Sequence, residues 1–293
     1  MKYNVYGINI ESDIVFENLR NGFIDNPIDS ISIYYDYQKV NSKAIFNFYN
    51  DSGNYDIQLP GLVKIKYIAE TKKLYLFSEN KDMLDTIISN IPLCPIFLKA
   101  GGIMLHAASA KIGDQTYAFI ASKGTGKTTT IAALCEFHNA KMIADDVVAI
   151  CNKNGELIVY PGPKHMKVSG FTVNFLELDK NILKSTYFDE NKYFVKFDQR
   201  SNPIKLSNLI FLKRHNDNVS MNEIELNKSK IKLISNIIFP KLFYDNFSKD
   251  ISSFFEKVND DMIKVYSLSI PNNIEYLKTN DFFDTLTNVN GGD

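Results

Sequence analysis

A short glycine-containing loop constrains the fold of this chain more than any other feature of its sequence. The apolar run 117–121 leads into the loop residues Ser122, Lys123, Gly124, Thr125, Gly126, Lys127, Thr128 and Thr129. Residues 131, 134, 135 and 138 then recur at the spacing of one helix face. A strand, a glycine loop, a Lys-Thr pair and a helix in this order are typical of the Walker A motif, which binds phosphate.

The residue types in this loop suit a triphosphate. Gly124 and Gly126 allow the backbone to curl so that several N–H groups converge on phosphate oxygens, and the helix N-terminus adds partial positive charge. Lys127 can reach the β- and γ-phosphates, and the Thr128 hydroxyl can bind Mg²⁺. The first glycine of the usual GxxxxGK[ST] pattern is Ala121 here. Residues 122–129 therefore predict a site for ATP and Mg²⁺; the alternative is a glycine turn that opens an ordinary helix.

Two adjacent aspartates follow the predicted helix. The interval between Lys127 and Asp145 accommodates a helix, a turn at residues 139–140 and a strand that returns beside the loop and ends at the aspartates. One carboxylate of the pair Asp145–Asp146 can hold the metal, and the other can accept a proton from an attacking hydroxyl. The residues leave open which aspartate has which role. The alternative is a strand-terminating turn with two solvated carboxylates.

A histidine is predicted to lie beside the loop. Residues 103–121 have the pattern of a β-hairpin whose two-residue turn, Gly113–Asp114, fixes the register. Ile112 then pairs with Gln115, and His106 lies opposite Ala121. His106 could orient an aspartate, contact a phosphate or simply pack, whereas His138 is predicted to belong to the core. Because the hairpin gives the strand that enters the loop an antiparallel neighbour, the sheet is predicted to be mixed.

The rest of the chain divides into a β-rich beginning and an α/β remainder. Strand patterns cover residues 4–9, 30–35, 44–48, 62–68 and 73–77. Residues 81–100 are predicted to be helical, with the helix bent or interrupted at Pro92 and Pro95. Another begins near 226 and has Ile231, Leu233, Ile234, Ile237 and Ile238 near one face, followed by a strand over 263–269 and a last helix after Pro271. We therefore predict a small β-rich N-terminal domain (1–95) and a nucleotide-binding catalytic domain (96–293).

Composition argues against several partners. The 33 basic and 34 acidic residues give a net charge of −1, which disfavours a non-specific nucleic-acid binder. The apolar runs are too short to span a bilayer, and the N-terminus lacks the apolar stretch of a signal peptide. The cysteines, Cys94, Cys135 and Cys151, have neither metal-ligand spacing nor an even count. These features predict a cytoplasmic protein with reduced thiols and no nucleic-acid or membrane partner.

The motif residues resemble those of the HPr kinase/phosphorylase-like family, which shares its nucleotide-binding core with phosphoenolpyruvate carboxykinases. The resemblance is specific at residues 105–110, 124–128 and 143–146. Looser similarity, at residues 6–13, 160–163, 203–212 and 268–271, is to the compact kinase-like proteins encoded with lasso-peptide and other modified-peptide gene clusters. It extends over nearly the whole chain.

The resemblance implies a mixed-sheet α/β fold and transfer of the ATP γ-phosphoryl group to a serine-type hydroxyl. In that family's pattern Lys127, Thr128, Asp145, Asp146 and His106 take the nucleotide, metal and acid–base positions. The Glu-Ile-Arg-Gly-type signature of true HPr kinases is missing, so neither HPr as a substrate nor the reverse phosphorolysis is implied. The stretch that holds Lys192, Lys196 and Arg200 is predicted to be a solvated charged loop, and the alternative is that one of these residues supplies a cationic phosphate contact.

Three functions fit these observations. The first is a kinase that acts on a serine or threonine hydroxyl of a small peptide or protein, such as the precursor of a ribosomal peptide natural product. The second is a kinase of a free small molecule, for example an amino acid or a sugar. The third is a module that senses nucleotide without transferring phosphate. The sequence leaves open whether the chain forms a homo-oligomer.

Overall fold

The computed structural model describes residues 1–49, 52–178, 182–187, 189–215 and 219–288, and they form a mixed α/β fold. Within these ranges the first strands are β1 (Lys2–Val5), β2 (Ile8–Ser12), β3 (Arg20–Asn21), β4 (Asp29–Tyr37), β5 (Ile45–Tyr49), β6 (Asn54–Leu59), β7 (Val63–Ile68) and β8 (Lys73–Ser78). They pair into one sheet in the order β3-β1-β2-β4-β8-β7-β6-β5. The pairs β2–β4 and β4–β8 are parallel and the others are antiparallel. The β-rich character predicted for this part of the chain is confirmed.

Two short helices follow this sheet, α1 (Leu84–Ile87) and α2 (Cys94–Lys99). The helical segment predicted over 81–100 is interrupted, one of the two outcomes predicted for its prolines, because a turn separates the two helices. Pro92 lies in that turn, where its missing N–H and fixed φ end helical pairing. Pro95 is tolerated in the first turn of α2, where a backbone N–H has no partner within the helix.

The remaining strands form three further sheets among the described residues. They are β9 (Gly102–Leu105), β10 (Ala107–Ile112), β11 (Gln115–Ile120), β12 (Lys141–Ala144), β13 (Val148–Lys153), β14 (Glu156–Tyr160), β15 (Met166–Ser169), β16 (Ile182–Ser185), β17 (Lys192–Val195), β18 (Ile204–Lys205), β19 (Asn208–His215), β20 (Ser220–Glu223) and β21 (Lys264–Pro271). Their orders are β12-β10-β11-β19-β21-β20, β18-β14-β13-β9 and β15-β17-β16. In the first of these sheets β11, β19 and β21 run parallel while β10 is antiparallel to β11. The predicted mixed sheet is confirmed.

The chain passes between two sheets at His106 and again at Asp145–Val147. The hairpin register is confirmed from Ile112–Gln115 to Ala107–Ile120. However, the strand predicted as continuous over 103–110 breaks at His106, because β9 pairs with β13 whereas β10 pairs with β11 and β12. The strand predicted to end at the aspartate pair is confirmed as β12, and after the pair the chain continues as β13 in a different sheet. Both passages lie at one seam, which brings His106 to the aspartate pair.

His106 does not pair with Ala121 in the ladder, so that detail of the prediction is wrong. Its backbone N–H instead donates to the carbonyl of Asn236 at 2.7 Å. The side chains of His106 and Ala121 nevertheless line the same cavity. His106 therefore lies beside the loop, as predicted, but outside the two strands β9 and β10.

The longer helices cover the sheets. The helical segments of this part are α3 (Lys127–Phe137), α4 (Gly170–Leu176), α5 (Leu226–Ile234), α6 (Pro240–Glu256), a 3-10 helix (Ile274–Lys278) and α7 (Asn280–Thr287). Ile231 is 82% exposed, so the prediction that it shares a buried face with Leu233 is wrong. His138 is only half-buried and stacks on Phe283 with ring centroids 4.8 Å apart, at the edge of the core rather than inside it.

Two hydrophobic cores hold the molecule together. One extends from the N-terminal sheet into the second half of the chain, where the Phe48 ring contacts Phe243 and Phe247 of α6 at centroid distances of 5.9 and 5.4 Å. The other surrounds α3, with Ile131 and Phe282 fully buried. The first core crosses the predicted boundary between residues 95 and 96, and the division into two domains stays a prediction.

The described helices include none that is both long and apolar enough to cross a bilayer. The three cysteines are free thiols: Cys94 and Cys151 are buried and Cys135 is partly buried. Burial raises the pKa of the Cys135 thiol to about 12, which disfavours the reactive thiolate.

Candidate functional site

The glycine loop adopts a backbone that favours glycine at two positions. Gly124 and Gly126 have φ angles of +85° and +104°, in the left-handed region that side chains with a Cβ disfavour. The helix α3 begins at the next residue, Lys127, and no side chain caps its N-terminus. Its first N–H groups therefore lack intrahelical partners and can meet an anion. The local geometry matches what the sequence predicts for a phosphate-binding loop.

Lys127 folds back over this loop. Its side chain is largely buried, and Nζ donates to the Ala121 carbonyl at 2.7 Å. Burial lowers the pKa of Lys127, and the charges of Asp145 and Asp146 partly offset that effect. A buried ammonium group with one backbone acceptor can exchange that carbonyl for a phosphate oxygen.

Asp145 is held between the loop and the following strand. The Thr128 hydroxyl donates to its Oδ1 at 2.9 Å, and the Lys167 N–H donates to its Oδ2 at 3.2 Å. The side chain is buried, and burial, followed by the charge of Asp146, raises the pKa of Asp145 to about 6. The two hydrogen bonds favour the carboxylate but do not outweigh desolvation.

Asp146 lies in a more open environment than its neighbour. Its side chain is 44% exposed, and Oδ1 is 3.4 Å from Nδ1 of His106, which is 40% exposed. Its Oδ2 lies 3.9 Å from Nζ of Lys167. Burial and the charge of Lys127 lower the pKa of His106 against the opposing attraction of Asp146. A neutral imidazole with its proton on Nδ1 can orient the Asp146 carboxylate while leaving it accessible to a ligand.

The N-terminal hairpin formed by β1 and β2 lies beside the aspartate pair. Tyr6, at the tip between β1 and β2, is fully buried, and its N–H donates to the Pro161 carbonyl at 2.9 Å. It lines a cavity of about 10 Å³ together with Asp145 and Asp146, a volume near that of a single water. Burial and both carboxylates raise the pKa of Tyr6 well above its ordinary value. Sequence reasoning missed this residue, because nothing in the local pattern links the hairpin to the loop.

Arg214 supports the loop from the opposite side. Its Nε donates to the Thr125 carbonyl at 3.0 Å, and its Nη1 donates to the Pro271 carbonyl at 2.7 Å. The residue lies in β19, which runs parallel to the strand that enters the loop. Because neighbouring parallel strands end at the same edge of a sheet, a cation at the end of the 203–212 segment was a signal available in the sequence.

A cavity of about 780 Å³ opens over the loop, and we call it the loop cavity. Its polar and charged lining is formed by Lys123, Gly124, Thr125, Gly126, Lys127, Thr128, Thr129, His106, Asp146, Lys167, Lys192 and Arg214. Of the cations predicted for a phosphate contact, Lys192 lines this cavity, whereas Lys196 and Arg200 do not. The Thr129 hydroxyl lies 2.8 Å from that of Thr172, on one wall.

A second cavity of about 670 Å³ adjoins the first, and we call it the apolar cavity. Its apolar lining comes from distant segments of the chain: Leu59, Leu62, Ile87, Ile91, Ile237, Ile238 and Phe239. It shares His106, Lys123 and Asp146 with the loop cavity, and Ser122 lines it as well. Phe239 is half exposed and has a φ of +49°, a strained value for an aromatic residue.

The side chains at the loop fit Mg²⁺ rather than a metal held by the protein alone. In the described part of the chain no group of three or more His, Cys, Asp or Glu side chains could hold a metal ion. Mg²⁺ commonly uses one or two protein oxygens and completes its shell with phosphates and water. The Thr128 hydroxyl and the Asp145 carboxylate, 2.9 Å apart, supply such a pair beside the loop.

Similarity to known proteins is found among solved structures. Neither a scan against protein-family models nor a search of the curated proteins gives a match. Among solved structures, the Hpr(Ser) kinase/phosphatase from Coxiella burnetii is similar to this chain at a TM-score of 0.32 and 14% sequence identity. The alignment covers 62% of this chain and 98% of that one. A TM-score and an identity this low carry no argument about the activity of this chain.

Proposed function

We propose that this chain is an ATP- and Mg²⁺-dependent kinase that phosphorylates a serine or threonine hydroxyl of a peptide or small protein. The observation that carries the proposal is the position of Asp146 and His106 on the wall shared by the loop cavity and the apolar cavity. Phosphoryl transfer needs a donor and an acceptor on either side of a proton-accepting group.

The nucleotide phosphates would occupy the loop cavity. Its lining combines the N–H groups of the glycine loop with the cations Lys127, Lys167 and Arg214. Such donors favour a polyanion, and a largely buried Lys127 strengthens the attraction because the local dielectric is low. Arg214 also fixes the loop, by its bond to the Thr125 carbonyl.

Asp145 and Thr128 would hold the metal. Mg²⁺ bound there would neutralise charge on the β- and γ-phosphates. The raised pKa of Asp145 fits this role, since a nearby cation favours the carboxylate that burial disfavours. Asp145 is enclosed by its bonds to Thr128 and to the Lys167 N–H, which leaves it poorly placed to meet a substrate hydroxyl.

Asp146 would be the base. The acceptor oxygen attacks the γ-phosphorus, a new O–P bond forms, and the bond from that phosphorus to the β,γ-bridging oxygen breaks to release ADP. The hydroxyl proton passes to the Asp146 carboxylate, which His106 orients through Nδ1. The exposure of both side chains supports this assignment, because an acceptor must reach them from the apolar cavity.

The apolar cavity favours a peptide over a free amino acid or a sugar. Apolar residues form the larger part of its lining, Thr86, Asn90, Ser235 and Asn236 add uncharged polar groups, and the charged Lys123 and Asp146 lie at the border with the loop cavity. Free serine would bring an ammonium and a carboxylate group into this lining at a desolvation cost. A peptide serine beside a leucine or phenylalanine would instead bury its neighbour against Ile87, Ile91 and Ile237.

The test is phosphoryl transfer to a graded set of acceptors. Purified protein with Mg·ATP is incubated with serine peptides whose flanking residue is leucine, phenylalanine, glycine or aspartate, and with free serine. Intact-mass measurement detects addition of one phosphoryl group. We expect product on the leucine and phenylalanine peptides, loss of product in Lys127→Ala, and no change in the exposed control Lys39→Ala. Nucleotide binding without product or ADP on any acceptor would contradict the kinase proposal and favour a nucleotide-sensing module.

A further inference from the structure

A third cavity, of about 540 Å³, is lined by a cluster of cations, and we call it the basic cavity. Arg20, Lys164 and Lys196 are its cations, His165 and Asp198 also line it, and Phe23 and Phe197 form an apolar part. None of these residues lines the loop cavity or the apolar cavity. The basic cavity is therefore separate from the site described above.

Among the described residues the cations of the basic cavity have no carboxylate in direct contact, although Asp85 and Glu17 attract Lys164 at longer range. Among the described residues no carboxylate lies within 4.0 Å of Arg20, Lys164 or Lys196; Asp198, the acidic residue in the lining, lies instead 3.4 Å from Lys141. Lysine and arginine side chains that share a partly enclosed space repel one another unless an anion neutralises them.

Two buried donors in the lining also lack partners among the described residues. The Arg20 side chain uses Nε to bond the Gly162 carbonyl at 2.9 Å, but its buried Nη2 has no acceptor. The buried Nε2 of Gln199 has none either. A buried donor without an acceptor is costly, and an oxygen-rich ligand would remove that cost.

His165 lies among these charges. Its backbone N–H donates to Asn18 Oδ1 at 2.9 Å. The pKa of His165 is lowered to about 4, first by burial and then by the charges of Lys164 and Lys196, with smaller contributions from Lys184 and Arg20. The two carboxylates whose charges attract Lys164 also have other partners, since Glu17 contacts Lys184 and Asp85 accepts from the Asn18 N–H.

We propose that the basic cavity is a second anion-binding site, which takes a small molecule with a phosphate or carboxylate group and an apolar part. The oxyanion would accept hydrogen bonds from Arg20, Lys164 and Lys196, and the apolar part would contact Phe23 and Phe197. The site does not depend on the proposed kinase activity, because it shares no lining residue with the loop cavity.

The test is calorimetric titration with pyrophosphate in a protein whose loop is weakened. Lys127→Ala serves as the host, and Lys164→Ala and Lys196→Ala are added to it singly; Lys39→Ala is the matched control for loss of an exposed charge. A parallel titration with citrate distinguishes a carboxylate ligand from a phosphate ligand. Thermal unfolding of each variant verifies that it is folded, and the imidazole NMR signals of His165 report occupancy directly.

We expect the Lys127→Ala host to retain one binding event, weakened about tenfold or more by Lys164→Ala or Lys196→Ala and unchanged by Lys39→Ala. The His165 signals should move on titration, because a bound anion raises the pKa of that imidazole. Absence of binding to the host by both anions, or equal binding by host and lysine variants, would overturn the proposal.

Discussion

Asp145 and Asp146 are adjacent in the chain, yet their side chains meet opposite environments. Asp145 is buried and accepts two hydrogen bonds, whereas Asp146 is 44% exposed and faces His106. The left-handed backbone at Asp146, with φ of +69°, turns the two carboxylates apart. The sequence predicted the pair but not this division, because a dipeptide carries no signal of which member is buried.

The pH dependence of kcat/KM should report the titration of Asp145. The folded-state pKa of about 6 lies above the ordinary value, so the carboxylate that would hold the metal is present above that pH and is lost as pH falls through it. We expect kcat/KM to fall about tenfold for each pH unit below roughly 6. Steady-state rates between pH 5 and 8 measure this, and a flat profile would contradict it.

Arg214 should control the geometry of the glycine loop. Arg214→Lys keeps the charge but cannot bond the Thr125 and Pro271 carbonyls together, since lysine lacks the planar fork. We expect nucleotide affinity to fall about tenfold, measured by calorimetry with ADP. Exposed Lys39→Ala is the control, and unchanged affinity in Arg214→Lys would show that the fork is dispensable.

Among the elements, the seam between two sheets creates the site. The β10–β11 register was predicted correctly from the two-residue turn Gly113–Asp114, because such a turn fixes the pairing of the strands on either side of it. The break at His106 could not be predicted, since a run of buried apolar residues has the same pattern whether it stays in one sheet or changes sheet. The motif residues and the end of β12 at the aspartate pair were thus predictable, whereas the passage of the chain into a second sheet was not.

The N-terminal hairpin should depend strongly on its glycine. Gly7 has a φ of +76°, and a Cβ there would collide with the Tyr160 ring, whereas Gly22 has a φ of +88° and nothing within 4 Å. We expect Gly7→Ala to lower the free energy of unfolding by about 3 kcal/mol. The control Gly22→Ala should cost only about 1 kcal/mol, from backbone strain alone. Urea denaturation measures both, and equal losses would contradict the packing of Gly7 on Tyr160.

At the scale of the whole molecule, one hydrophobic core joins the N-terminal sheet to α6. The contact of Phe48 with Phe243 and Phe247 crosses the predicted domain boundary, as does the bond from the Tyr6 N–H to the Pro161 carbonyl. The two-part organisation predicted from strand content reflects where strands occur along the chain. Contacts between distant segments leave no local pattern and so escaped prediction.

This shared core predicts that both parts of the chain unfold together. Phe243→Ala, at a fully buried position, should lower the free energy of unfolding by about 3–5 kcal/mol, while Ile231→Ala, at a residue 82% exposed, should change it little. Urea unfolding followed by circular dichroism and tyrosine fluorescence should give coincident transitions in both variants. Separate transitions would indicate two independently stable domains.

The measurement that tests the central claim most directly separates nucleotide binding from phosphoryl transfer in Asp146→Asn. Asparagine preserves the shape of the side chain but cannot accept the hydroxyl proton. With a leucine-flanked serine peptide and Mg·ATP, we predict that Asp146→Asn binds nucleotide within about twofold of wild type while kcat falls about 10³-fold. Wild-type kcat in the variant, or the absence of any transfer by the wild-type protein, would contradict the assignment of Asp146 as the base of a kinase.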